Sequence, residues 1–374
     1  MKKVLYVATV LSHICQFHLP YLKMFKEQGY EVHVAARDNL AEKNGLQLQY
    51  ADQHFEIPFQ RSPFSPKNIT SYKQLKKLID KEQYDLIICN TPVGGIVTRM
   101  AAKKARKKGT KVVYIAHGFH FYKGAPKKNW LIYYPIEKHF AKKCDIVVTI
   151  TNEDYELALK KFKTTVVRMH GVGVDGVRHC AISNEEKTIL RNELHIKEID
   201  FICLCTGELN ENKNQKSLIQ LVSQLQKRIP NFRLWLAGNG PLKEELETEI
   251  QRLGLQDCVN LLGYQPAIER YVRASDVVLS ASKREGLPFN IIEAMLAKRP
   301  VVASINRGHR ELISDGENGF MTNDQTGFIE DIVKLYQDKA LYEEIAEKAF
   351  ENAQSYKIIA TMEEFKQILG VGNE

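Results

Sequence analysis

No stretch of this sequence is apolar for the ~20 residues that a bilayer-spanning helix requires. The seven cysteines are odd in number and scattered, with no C-x-x-C pair. Neither a disulfide framework nor a zinc site is expected from them, and a reducing cytosol fits. Cys203 and Cys205 alternate on an apolar run and read as core residues. No G-x-G-x-x-G follows the first apolar run, which leads into Thr9-Val10-Leu11-Ser12-His13. A dinucleotide site needs those glycines for close backbone approach to a pyrophosphate, so NAD dependence is disfavoured. Gly238-Asn239-Gly240-Pro241 is glycine-rich but short, and suits a strand-to-helix turn better than a phosphate loop. A D-x-D pair at a strand end, which would hold a divalent cation, is also missing. Met1-Lys2-Lys3 followed by Val4 to Leu11 has a leader-like outline, yet no small-residue cleavage site follows, and a first buried strand is expected instead.

What is present points to a large α/β protein. The chain has 374 residues, 44% of them hydrophobic and 26% charged, which is long enough for two domains of ordinary size. Apolar runs at residues 4–10, 31–36, 85–89, 111–116, 145–151 and 165–169 read as strands, and the rhythm repeats at 201–206, 232–237, 259–263, 276–282 and 300–304. Amphipathic stretches such as 215–227 and 242–253 lie between them. Continuous Val/Ile/Leu runs alternating with helices imply parallel sheets covered on both faces, hence two doubly wound domains joined near residues 172–198. The expected boundaries are 1–180 and 181–355, with a terminal helix over about 356–374 packing back on the first domain. In such sheets ligands bind beyond the carboxyl ends of the strands.

Charge divides unevenly. Residues 1–180 hold 30 Lys and Arg against 15 Asp and Glu, and the remainder holds 23 against 30. Lys103, Lys104, Arg106, Lys107, Lys108 and Lys111 form one cluster, and Lys123, Lys127, Lys128, Lys138, Lys142 and Lys143 follow. A solvated helix face and an anionic membrane surface both explain this, the second at ~1 kcal/mol per basic residue. Nucleic acid is not expected as a partner, because no recognition motif accompanies the charge.

Arg284-Glu-Gly-Leu-Pro-Phe-Asn-Ile-Ile-Glu-Ala-Met-Leu-Ala297 carries the sharpest signal. The run 276–282 reads as a strand and Pro288 as the first helical position, where its missing N–H has no helical partner to lose. The backbone N–H groups of Gly286, Leu287 and Asn290, grouped around Pro288, then frame an anion site matched to a diphosphate. Glu285 lies beside that site and Glu293 stands on the helix, each able to accept paired hydrogen bonds from vicinal hydroxyls. Acids that merely complement the helix dipole are the plainer account.

These residues resemble the retaining glycosyltransferases of family 4, which have the GT-B fold of two Rossmann-like domains facing across a cleft. In the second domain the resemblance rests on Gly207-Glu-Leu-Asn-Glu-Asn-Lys213, Leu236-Ala-Gly-Asn-Gly-Pro241, Glu285 to Glu293 and Asp315-Gly-Glu-Asn-Gly-Phe320; in the first, on His13-Ile14, Phe17-His-Leu-Pro-Tyr-Leu22, Asn90-Thr-Pro-Val-Gly-Gly95 and Ala116-His-Gly-Phe-His-Phe-Tyr-Lys-Gly-Ala-Pro126. The first-domain segments are similar to the subgroup that builds exopolysaccharide and capsule repeat units. The resemblance implies hexosyl transfer from a nucleotide sugar, with Glu285 on sugar hydroxyls, Glu293 on ribose, Lys213 and Gly207 at the diphosphate, backbone at Gly263 and Tyr264 on the base, and His117 facing the sugar. A structural role for His117 stays open. It implies an acceptor beside His13, His18, Asn90, Phe119, His120 and Lys123, and a lipid-linked saccharide would suit the basic face. Retention through same-face attack needs no covalent carboxylate, and no metal or other cofactor is expected, the histidines falling on separate loops without ligand spacing.

Two departures stand out. Glu208 occupies the position where relatives commonly carry arginine, and an acid beside phosphates is repulsive unless it turns away or meets a cation. Lys283, Arg284, Arg307 or Arg310 could supply one. After Val172-Gly-Val-Asp175 the linker reads Gly-Val-Arg-His in place of the usual charged residue and Phe. A nucleotide-sugar epimerase and a non-catalytic assembly subunit are the alternative functions, and the expected location is cytoplasmic, peripheral on the inner membrane face.

Overall fold

The computed structural model describes residues 1–42 and 45–371. The chain divides into two compact units, Met1–Gly173 with Ile358–Glu374 and Val174–Lys357. The division falls at 173/174, earlier than the sequence suggested. Residues 174–180 belong to the second unit, because Val174 bridges Lys357 and Arg178 pairs with Glu269 at 2.9 Å. At the crossing point Gly173 has φ +78, and a Cβ there would lie 2.5 Å from the Ile358 Cα, so only glycine fits.

The first unit is a seven-stranded sheet in the order β3-β2-β1-β4-β5-β6-β7, built from β1 (Lys3–Val10), β2 (Glu31–Arg37), β3 (Gln53–Glu56), β4 (Leu86–Asn90), β5 (Lys111–Ala116), β6 (Ile146–Thr149) and β7 (Thr165–Arg168). The second is a six-stranded sheet, β10-β9-β8-β11-β12-β13, built from β8 (Phe201–Thr206), β9 (Phe232–Ala237), β10 (Val259–Gly263), β11 (Val277–Ser280), β12 (Val301–Ser304) and β13 (Phe320–Thr322). Every pairing is parallel. β4, β5 and β8 are buried at nearly every position, as a sheet covered on both faces requires.

Two strands lie outside the sequence-based expectation. β3 and β13 are edge strands of four and three residues, too short to show a period. β6 and β11 are shorter at both ends than their apolar runs suggested, and the aspartate before each ties neighbouring elements together with its side chain. Asp145 accepts from the Val112 N–H at 2.8 Å and pairs with Arg106, and Asp276 accepts from the Ile202 N–H at 2.8 Å and pairs with Lys187 and Arg191.

The terminal helix Ile358–Leu369 packs on the first unit. Phe365 meets the Tyr21 ring edge-on at 5.2 Å, the Tyr21 hydroxyl donates to Thr361 at 3.0 Å, and Lys111 donates to the Leu369 carbonyl at 2.8 Å. Inside that unit Arg99, fully buried, pairs with Glu137 at 2.9 Å and lies 3.9 Å over the Tyr114 ring. The Tyr114 hydroxyl donates to the same carboxylate at 3.1 Å.

Candidate active site

In the second unit the loops after β8, β9, β11 and β12 converge at the carboxyl edge, where the sheet order reverses between β8 and β11. Glycine permits the approach. Gly207 has φ +141, and a Cβ on Gly238 would sit 2.0 Å from the Gly207 carbonyl. A Cβ on Gly308 would lie 2.6 Å from the Glu285 Cβ. The loops are then stitched together: Lys283 N–H donates to the Asn212 carbonyl at 2.7 Å, and the Asn212 amide donates to the Arg284 carbonyl at 2.9 Å.

Lys213 and Glu285 form the centre of this edge, with Nζ and Oε1 2.7 Å apart and both side chains mostly buried. The pairing gives Glu285 a fixed direction and leaves its second oxygen for hydroxyl donors. The helix Phe289–Leu296 begins beside it, one position later than the sequence suggested, and Pro288 is its N-cap, with ψ 105. Asn290 ties the helix start to β8 through the Thr206 carbonyl at 3.4 Å. Leu287 and Pro288 are buried, so Gly286 and Leu287 present backbone rather than side chain to the anion position.

Glu293 faces a neighbour that the sequence did not single out. The His179 Nε2 stands 3.7 Å from its Oε1. Burial pushes the Glu293 carboxyl up to about 7, and burial, with Arg178 adding to it, pushes the His179 imidazole down to about 4. Near neutral pH the pair is therefore an uncharged imidazole beside a half-titrated acid. His309 is a second addition. Fully buried, it lies 3.0 Å from the Ser280 hydroxyl, and Asn306 donates to the Ser282 carbonyl at 2.9 Å, fixing the loops behind Glu285.

Gly263, with φ +66, accepts from the Gly238 N–H at 2.8 Å, and Tyr264 is 64% exposed beside it. Glu208 points to solvent and accepts from the Asn210 amide at 2.9 Å, so the expected repulsion is relieved by direction. Lys283 pairs with Glu211 at 3.5 Å, while Arg284 and Arg310 are exposed.

In the first unit the carboxyl ends of β1, β4 and β5 bring His13, His18, Asn90 and His117 together. The His13 and His117 Nε2 atoms are 3.3 Å apart, and the His117 Nε2 is 3.1 Å from the Asn90 Oδ1. This corrects the expectation that the histidines stand apart. Phe119 is 5% exposed, stacks on Phe121 at 4.9 Å, and its backbone N–H donates to Asp154 at 3.1 Å. His120 stacks on Tyr133 at 4.7 Å and lines a cavity of about 320 Å³ with Phe119, while Lys123 is exposed. Of the clustered basic residues Arg106 and Lys111 serve the fold, Lys138 and Lys143 lie half-buried over the Tyr134 and Phe140 rings, and the others are exposed. Among the described residues no helix is long and apolar enough to cross a membrane.

Comparison with known proteins agrees with this geometry. The family model "Glycosyl transferases group 1" matches residues 186–352, and "Glycosyl transferase 4-like" matches residues 3–152. EpsD of Bacillus subtilis, whose name calls it a glycosyltransferase, is 43% identical over 98% of this chain and 96% of its own. The Escherichia coli UDP-Gal:alpha-D-GlcNAc-diphosphoundecaprenol alpha-1,3-galactosyltransferase is 26% identical over 89% of this chain and 87% of its own. The crystal structure of Anabaena HepE in complex with UDP superposes with a TM-score of 0.79 at 21% identity, covering 99% of this chain and 100% of that one, which shows a shared fold. With EpsD 43% identical almost end to end, the chain belongs to the group 1, family 4-like glycosyltransferases of the GT-B fold.

Proposed function

We propose that the protein transfers a hexosyl group, with retention, from a UDP-sugar to a lipid-linked saccharide in exopolysaccharide or capsule assembly, and that no metal takes part. The observation that carries this reading is the Lys213–Glu285 pair at 2.7 Å beside the start of the helix Phe289–Leu296. Lys213 and the neighbouring N–H groups meet the charge that develops on the departing diphosphate, which is electrostatic preorganisation in place of a cation. Glu285 orients the sugar hydroxyls, Glu293 accepts from the ribose, and backbone near Gly263 and Tyr264 meets the uracil. Arg284 or Arg310 supplies further charge for the phosphates. The bond from the anomeric carbon to the diphosphate oxygen breaks as the acceptor hydroxyl bonds to that carbon on the same face. The acceptor proton passes to the departing diphosphate.

His13, His18, Asn90 and His117 offer hydrogen-bonding atoms for saccharide hydroxyls in the first unit. The exposed lysines, Lys123 among them, suit a diphosphate-linked acceptor at an anionic inner membrane face. The relatives support the substrate classes: the Escherichia coli enzyme's name specifies a UDP-galactose donor and a diphosphoundecaprenol-linked acceptor, and HepE has been crystallised with UDP-glucose.

Thermal stabilisation by UDP, GDP, ADP and NADH, each with and without EDTA, tests the donor site. A ligand at 100 times its Kd stabilises by ~2.7 kcal/mol. Stabilisation by UDP that EDTA leaves unchanged is expected, followed by product formation from a UDP-sugar and a polyprenyl-diphosphate saccharide. A response to NADH alone, or a transfer that EDTA abolishes, would overturn the reading.

A further inference from the structure

We propose that the first unit contains a binding site for one divalent transition ion of the zinc class, held by His13, His18 and His117. One ring nitrogen from each lies within 4.8 Å of the other two. His13 comes from the helix Leu11–Phe17, His18 from the residue that ends it, and His117 from the turn after β5, so three separate backbone positions aim at one point. Two imidazoles on a tetrahedral ion with ~2.0–2.1 Å bonds stand about 3.4 Å apart. The His13–His117 separation is already 3.3 Å.

The hydrogen bonding around these rings is incomplete in a way that a cation completes. The Asn90 amide nitrogen donates to the Val7 carbonyl at 3.5 Å, which turns Oδ1 towards the His117 Nε2. That nitrogen therefore meets two possible partners, Asn90 Oδ1 and His13 Nε2, with at most one proton of its own. With the His117 Nε2 unprotonated its lone pair faces that of Asn90 Oδ1, and with it protonated its single proton cannot be directed fully at both neighbours. The His18 Nε2, in a side chain only 1% exposed, has no hydrogen-bond partner among the described residues. An orphaned buried nitrogen beside two crowded ones is expensive to leave without a ligand.

Ligand chemistry agrees. Neutral imidazole is the form that binds metal. Imidazole donors select zinc, nickel, copper or cobalt over magnesium or calcium, which prefer oxygen. Three histidines leave a fourth position open, next to Asn90. The proposal concerns binding and does not rest on the transfer reaction. If His117 contacts sugar as proposed above, ion and sugar compete for its Nε2 and the ion inhibits.

The test uses the full chain stripped with EDTA, in a Cys180→Ser background that removes the exposed thiol. Zn²⁺ and Co²⁺ are titrated by calorimetry, with Mg²⁺ as control, and the Co²⁺ absorption spectrum reports coordination. One equivalent of either transition ion is expected, with no Mg²⁺ binding. In His13→Ala, whose half-buried position on a helix surface should spare the fold, binding should weaken by more than about 100-fold, beyond what loss of a supporting hydrogen bond causes. X-ray absorption at the zinc edge counts imidazole ligands without any substitution. Three imidazoles support the site; absent binding, unchanged affinity in His13→Ala, or a shell without imidazole overturns it.

Discussion

Replacing Glu293 by Gln tests whether this carboxyl is protonated in the folded protein. Burial raises it to about 7, whereas an unfolded glutamate titrates near 4.3. Between those values the folded chain binds the proton more tightly. The group's contribution to stability is therefore complete below about pH 4, is lost as pH rises, and is gone above about pH 7. At 1.36 kcal/mol per pH unit the full span is on the order of 3 kcal/mol. With 22% of the side chain still exposed, roughly 2 kcal/mol is the better expectation. Glutamine carries no such penalty at high pH. Relative to wild type, Glu293→Gln should gain ~2 kcal/mol between pH 5 and pH 8, a differential Tm shift of about 4–8 °C for a unit of this size. His179 cannot produce the effect, because its imidazole, pushed down to about 4, is neutral across the window, and its unfolded-state titration is common to both proteins. Differential scanning calorimetry of both proteins at several pH values between 5 and 8 is the assay. A Tm difference that stays flat with pH would refute the protonated carboxyl.

Three further outcomes follow from the geometry. Lys213→Ala and Glu285→Ala should each lower turnover by about 10²–10³, the usual loss when one stabilising partner of a developing charge is removed, and initial rates with saturating UDP-sugar check it. Arg99→Met leaves Glu137 buried without its cation and should cost about 3–5 kcal/mol, with most of it recovered in Arg99→Met/Glu137→Leu, as read by thermal unfolding. Gly238→Ala places a Cβ 2.0 Å from the Gly207 carbonyl, so UDP-dependent stabilisation should disappear while the far-UV circular dichroism of the apo protein is retained.

Much of the fold was legible because parallel strands buried on both faces leave uninterrupted apolar runs. β8, β9 and β10 span the residues that their runs mark. β3 and β13 were not, since an edge strand such as Gln53-His-Phe-Glu56 is held by a neighbour and has no face pattern of its own. The boundary was misplaced for a related reason. Residues 174–180 lie in the joining segment, where no apolar pattern marks a boundary, and their assignment depends on Lys357 and Glu269, which are far along the chain.

The site divides along the same line. Glu285 and Lys213 were legible because each lies just beyond a strand, where the fold class itself puts ligands. Position in sequence does not give direction. Glu208 follows Gly207 immediately, yet the turn at φ +141 sends its side chain to solvent; Phe119 follows His117 by two residues and turns into the core. Partners brought in from elsewhere were the hardest to read. His179 reaches Glu293 only because the linker joins the second unit, and the three histidines of the first unit meet only because β1 and β5 both flank β4. In both places the chemistry resides in a distance between residues more than 100 positions apart. Single-sequence reasoning could name those residues as candidates but had no physical basis for pairing them.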